Sequence, residues 1–295
     1  MLLLRNTQHS SQNSRDSSTS YKLASFLPPH FVRSVLSGHE RTSTMKPITD
    51  KQFWEAEHRA NRHQYNIEKP FENYRFGNGI LRNFLTYDAS LSLLEVGCVP
   101  GRNMVYFARN FGYQVSGLDY SDEIQKVGSI LRAHNVREFE LFQRDFLEFN
   151  PSSKYDIVFS QGFVEHFTEP DLVFKKHVDL LRSNGLLIIS LPNLHYGQKL
   201  LYLLFGLRHL FDLHNLDVMS PHIWSNLALK EGLSVLYCNY ATTFWFSLTP
   251  QYNAYIKQQI YRLCRAIEMG LRIFHLDQVP NRYFSPQILL VAKKQ

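Results

Sequence analysis

The sequence predicts an α/β protein with a doubly wound, mostly parallel seven-stranded sheet carrying helical insertions. Three observations predict it. Short apolar runs alternate with amphipathic helical stretches from residue 91 onward. Several of those runs are apolar throughout, as in strands buried on both faces. The first run also passes through a glycine turn directly into a helix, the arrangement that places ligands at the carboxyl ends of strands.

Taken in order, "LSLLEVG" (91–97) is the first strand. "NMVYFARNFG" then sets Met104, Phe107, Ala108 and Phe111 on one helical face, with Gly112 as the stop. "YQVSGLD" (113–119) is the second strand, after which Ser121 caps a helix containing Ile124, Val127, Ile130 and Leu131. Asp122 and Glu123 in its first turn suit the helix dipole. "FELFQ" (139–143), "YDIVFS" (155–160) and "GLLIISL" (185–191) are further strands. Between the last two, "EPDLVFKKHVDLLRSNG" groups Val173, Phe174, His177, Val178 and Leu181 on one helical face, with Gly185 ending the helix. "PHIWSNLALKEG" and "LSVLYCN" add a helix and a strand, and "QILLVAKK" closes the sheet.

Three regions surround this core. Residues 1–44 are rich in Ser with only Asp16 and Glu40 as acids, which predicts a disordered extension. The same composition matches an organellar transit segment loosely, and Met45 is a third reading, as the true start. Residues 45–90 form a helical cap carrying Trp54, Tyr65 and Tyr74, and 91–295 make up the strand–helix domain. Insertions fall at about 192–218 and 241–284, where long additions near a ligand face serve as lids or substrate walls.

Composition narrows the function. The net charge is +6, but the Lys and Arg are scattered, which argues against a nucleic-acid surface. Three widely spaced cysteines form neither a disulfide framework nor a zinc motif, so a reducing, cytoplasmic setting is expected. No apolar stretch reaches the ~18 residues of a membrane span.

The turn itself is "LLEVGCVPGRN", 93–103. A dinucleotide fingerprint needs glycines at 97, 99 and 102, and only Gly97 is present. The spacing acid-x-Gly-x-Gly-x-Gly is met by Glu95, Gly97 and Gly101, with Val99 as the departure. The stretch resembles the cofactor loop of the class I S-adenosylmethionine-dependent methyltransferases. Gly97 permits the tight turn and Gly101 close backbone approach, while N–H groups opening the helix attract a carboxylate. A β-branched residue avoids positive φ, so Val99 is expected in β or bridge geometry, pointing away from ligand. Asp119, ending the second strand, is placed to accept from both ribose hydroxyls, with Tyr120 beside it. The resemblance implies that Asp145 receives the adenine amino group and Phe146 contacts the ring. It also implies that Ser160 and Gln161, in "YDIVFSQGFVEHF", line the methionine end.

The expected reaction is methyl transfer to a small apolar or aromatic molecule, at oxygen. A hydroxyl acceptor must lose a proton, and His166 is the first candidate base, with His195 of "PNLHYG" the second. Glu165–His166 also resembles a pair in ubiquinone-pathway O-methyltransferases, where a further upstream acid completes a metal site. That position here is Gly162, so no metal is expected. The fourth strand lacks the Asn/Asp-Pro-Pro-aromatic loop of nucleic-acid amino methyltransferases. In the first insertion Leu200, Leu203, Leu204, Leu207 and Phe211 share a face, widened by Leu201 and Phe205. A lid over the pocket is the favoured reading of that face, with membrane-surface contact or core packing as alternatives. A non-catalytic cofactor-binding module and a nicotinamide oxidoreductase are the competing functions.

Overall fold

The computed structural model describes residues 46–60, 78–244, 255–277 and 279–295. The predicted extension over 1–44 lies outside the described residues, as do Tyr65, Tyr74 and residues 245–254 of the second insertion.

The chain runs α1 (Lys51–Ala60), α2 (Asn78–Leu81), β1 (Ser92–Val96), α3 (Arg102–Phe111), β2 (Gln114–Asp119), α4 (Ile124–Ala133), β3 (Phe139–Gln143), β4 (Tyr155–Gln161), α5 (Pro170–Asp179), β5 (Leu181–Pro192), α6 (Tyr196–Leu204), α7 (Pro221–Lys230), β6 (Leu233–Ala241), α8 (Tyr255–Ile273) and β7 (Gln287–Lys294). The strands form one seven-stranded sheet in the order β3-β2-β1-β4-β5-β7-β6. β1 to β5 pair in parallel, and β7 runs antiparallel between β5 and β6. The strand order reverses between β1 and β4, so the crevice at their carboxyl ends is the ligand position for this topology.

Side-chain alternation divides the core between the two faces of the sheet. From β1, Leu93 joins Met104, Val105 and Phe107 of α3 and Val127 and Leu131 of α4. Its neighbours Leu94 and Val96 face Val173, Phe174 and Val178 of α5 and the fully buried Trp224 of α7. Each such side chain withdrawn from water contributes about 1.5–3 kcal/mol before the entropy cost of ordering is counted.

Two local expectations change. The helix predicted to reach Gly185 ends at Asp179, and β5 already begins at Leu181. Leu181 pairs with Tyr155 across a local irregularity, and Arg182 forms an ion pair with Asp156 at 2.9 Å. Tertiary pairing with β4 thus claims residues whose periodicity alone continues the helix. Ser121 likewise closes a turn, its hydroxyl accepting the Glu123 amide at 3.1 Å, and α4 starts three residues later at Ile124.

The first insertion holds α6 and the 3₁₀ turns Arg208–Leu213 and Leu216–Val218. The face of α6 that packs is Leu201 and Tyr202, which with Phe205 meet Cys264, Ile260 and Tyr261 of α8. Leu200, Leu203 and Leu204 are exposed. The two insertions therefore pack on one another through this face of α6.

Candidate functional site

At the carboxyl end of β1 the chain turns through Gly97–Gly101, stitched to β2 by Gly97 and Cys98 amides that donate to the Leu118 carbonyl at 2.8 and 3.2 Å. Gly97 has φ 73° and Gly101 φ 92°, the left-handed region that penalises side chains. Space enforces the same choice. A Cβ at Gly97 would lie 3.0 Å from the Phe163 ring, and one at Gly101 would lie 2.7 Å from the Val127 side chain. Val99 is not among the non-glycine residues with positive φ. It packs partly on the α3–α4 side of the core, yet it also borders the cavity rather than turning fully from it.

That cavity, of about 150 Å³, opens at the carboxyl ends of β1, β2 and β4. It gathers Gly97, Asp119, Tyr120, Asp145, Phe146 and Gln161, all proposed from sequence. Asp119 faces the turn: its Oδ2 accepts from the Val99 amide at 3.3 Å and its Oδ1 from the Ser121 amide at 2.9 Å. Burial pushes its carboxyl above the usual range, opposed by the Ser121 N–H and by His58. Burial likewise raises the Tyr120 hydroxyl. Asp145 turns the chain after β3 by accepting the Leu147 amide at 2.7 Å. Phe146 packs edge-on against Phe163, centroids 5.2 Å apart.

Three sequence candidates support the cavity without lining it. Glu95 is buried within β1, where its Oε1 accepts from the Asn103 side chain at 2.6 Å and so ties β1 to the first turn of α3. Burial pushes its carboxyl up to about 8. Gly101 shapes the start of α3. Ser160 is fully buried, and its hydroxyl has no partner among the described residues. Strand alternation turns Ser160 inward while Gln161, one residue on, reaches the cavity.

The two histidines separate. His195 does not line the cavity; its Nε2 donates to the Leu216 carbonyl at 3.0 Å and fastens the first insertion. His166 does line it, from the 3₁₀ turn Val164–His166. Its Nδ1 donates to the Leu213 carbonyl at 2.8 Å, which fixes the neutral tautomer and leaves Nε2 as an acceptor. Burial, with His214 adjacent, pushes its pKa down to about 3. An imidazole so depressed is a weak proton acceptor at neutral pH.

The cover of the cavity comes from the cap, where sequence reading assigned no site residue. Asp50 caps α1 by accepting the Phe53 amide at 2.8 Å. Trp54 donates from its indole to Thr49 at 3.0 Å and stands edge-on to His166, centroids 4.9 Å apart. Pro47, Thr49, Trp54 and His58 all border the cavity. An Ile48 amide bond to the His166 carbonyl at 2.7 Å and a Lys51–Asp122 ion pair at 2.8 Å hold this strap in place. The signal was present in "TDKQFWEAEH": an N-cap acid followed by Trp54 and His58 one turn apart. Arg144, Leu147, Phe163 and Phe167 complete the apolar and polar walls.

A family model described as a methyltransferase domain matches residues 62–237, more than half of the 295 residues. No curated protein matches the chain. Among solved structures, the fold is similar to that of coclaurine N-methyltransferase bound to N-methylheliamine and SAH. The two are 16% identical over 73% of this chain and 71% of that one, with a TM-score of 0.52. It is also similar to a chain in the complex between the Haloferax volcanii Trm112 methyltransferase activator and a methyltransferase. That match is 14% identical over 81% of this chain and 93% of the other, with a TM-score of 0.52. At these identities the likeness is one of fold.

Proposed function

Because the chain belongs to the class I S-adenosylmethionine-dependent methyltransferase family, we propose that it moves the cofactor's methyl group onto a small apolar or aromatic molecule, at an oxygen atom. The observation that carries this reading is the Asp119 carboxylate facing the Gly97–Gly101 turn across a cavity walled by aromatic rings. Asp119 suits a vicinal diol, since a carboxylate oxygen has acceptor capacity beyond the amides it already receives. Asp145 and Phe146 would take the adenine, and Gln161 the amino-acid end.

Transfer from a sulfonium is an in-line displacement, so holding two reactants in register supplies much of the rate. S-adenosylmethionine held there would supply an electrophilic methyl group, and the acceptor hydroxyl would give up its proton to solvent. Trp54, Phe163 and Phe167 offer an apolar seat for the acceptor. Burial weakens His166 as a base, so an acceptor oxygen that is itself acidic suits this site best.

A second element of this reading is peripheral contact with a membrane that holds an apolar acceptor. Ile256, Leu263, Ile267 and Phe274 are exposed and share one face of α8 and its end, and Leu200, Leu203 and Leu204 of α6 are exposed as well. No helix among the described residues is long and apolar enough to cross a membrane.

Calorimetric titration with S-adenosylmethionine tests cofactor binding. Radiolabelled cofactor incubated with fractionated cell extract, followed by mass analysis of the labelled product, tests the acceptor. A product methylated at nitrogen or carbon, or on a macromolecule, overturns the oxygen and small-molecule reading. Sedimentation with anionic phospholipid vesicles tests the surface contact, and protein that stays in the supernatant overturns it.

A further inference from the structure

We propose that Glu165, His166 and His214 form a binding site for one divalent transition-metal ion of the zinc class, beside the cavity. One donor atom from each of these residues lies within 4.8 Å of the others. Small side-chain rotations would bring such donors to metal bonds of about 2.0–2.2 Å.

Two observations point to a ligand. The first is Glu165: it is 1% exposed, and its Oε2 has no hydrogen-bond partner among the described residues. A buried carboxyl oxygen left bare is costly, and protein interiors rarely tolerate one without a function. The second is the pair of rings. His166 donates from Nδ1 to the Leu213 carbonyl and His214 donates from Nδ1 to the Leu210 carbonyl, at 2.8 and 2.5 Å. Both Nε2 atoms are therefore left with free lone pairs. A backbone carbonyl holding the far nitrogen is how metal-ligating histidines are oriented.

The fold builds the site from two distant segments. The Asn215 amide donates to the Glu165 carbonyl at 2.7 Å, and the Asn215 side chain donates to the Phe167 carbonyl at 3.1 Å. These bonds clamp the first insertion onto the 3₁₀ turn and bring the His214 ring within 4.6 Å of His166, centroid to centroid. The sequence predicted no metal because only the adjacent Glu165–His166 pair was visible in it. His214 is supplied by the insertion, not by the position that Gly162 occupies.

The donor set selects the ion. Two imidazole nitrogens and one carboxylate suit zinc and its neighbours, whereas calcium and magnesium take oxygen. Three protein ligands leave a fourth position open. That position lies beside the cavity, because His166 and Gly162 both line it and a Cβ at Gly162 would sit 3.6 Å from Glu165 Oε1. An acceptor hydroxyl bound there would release its proton to solvent more readily, as metal-bound water does. This use rests on the oxygen-acceptor reading above; metal binding itself does not.

The test uses the full chain, stripped with chelator, reloaded with Zn²⁺ or Co²⁺ and analysed for metal content. The expected result is one equivalent of metal and, with cobalt, the visible absorption of a tetrahedral N/O site. Glu165→Gln and His214→Ala should each weaken metal binding at least ~10-fold while leaving the S-adenosylmethionine titration unchanged. If His214→Ala does not fold, the near-isosteric Glu165→Gln decides. Less than a tenth of an equivalent on the wild-type chain, or wild-type affinity in Glu165→Gln, overturns the site. Wild-type protein that takes up metal but no cofactor keeps the metal site and removes the proposed function.

Discussion

The backbone amide of Val99 and the carboxylate of Asp119 are joined by a 3.3 Å hydrogen bond between the β1 turn and the end of β2. With the Ser121 amide on the other carboxylate oxygen, this bond aims Asp119 at the cavity and locks its rotamer. The residue that departs from the glycine pattern thus holds the acid through its backbone, which any non-proline residue could do. Its side chain needs only a negative φ.

Asp119→Asn keeps the shape and removes the charge. Hydrogen bonds to charged groups contribute about 1.5–3 kcal/mol, so S-adenosylmethionine affinity should fall roughly 10- to 100-fold. Calorimetry measures this, with circular dichroism as the control for folding. An unchanged dissociation constant would remove Asp119 from the cofactor site.

Gly101→Ala forces a side chain into left-handed backbone, at a cost of about 1–2 kcal/mol, and drives its Cβ against Val127. The expected loss of stability in urea unfolding exceeds the conformational cost alone. Adding Val127→Ala should restore part of the steric share, in excess of the cavity it creates.

Stability should depend on pH through Glu95. Its folded-state carboxyl titrates at about 8, above the ordinary 4.5, because burial disfavours the charge. Between those values the folded chain holds a proton that the unfolded chain has released. The stabilising contribution is therefore complete below about 4.5 and is lost as pH rises to about 8, by up to ~1.4 kcal/mol per pH unit. Glu95→Gln should flatten that part of a urea-unfolding series run from pH 5 to pH 8, and an unaltered slope would contradict the buried, protonated state.

His177 should act in the opposite sense. Burial pushes its pKa to about 4, below the ordinary 6.5, so its contribution is present above 6.5 and is lost as the solution is acidified toward 4. His177→Phe should lessen the fall in melting temperature across that window.

Trp54→Ala removes the indole bond to Thr49 and the edge contact with His166. Helix α1 has no buried residue, so the melting temperature should shift by only a few degrees. Methyl-acceptor turnover should fall at least ~10-fold if this strap seats the acceptor. Undiminished turnover would assign α1 a purely peripheral place.

The sequence by itself determined the sheet, the glycine turn, the acid that ends β2 and the acid that follows β3. All of these rest on local rules: apolar runs of strands buried on both faces, left-handed backbone that a glycine at 97 and at 101 adopts cheaply, and an acid at a strand end. Only the tertiary structure decided which candidates share the cavity. Ser160 turned inward by the parity of its strand, and His195 was taken by the Leu216 carbonyl. Trp54 and His58 reached the crevice through a strap, and His214 met Glu165 and His166 through backbone bonds between distant segments. Such meetings depend on how a chain closes long loops, which leaves no periodic trace along the sequence.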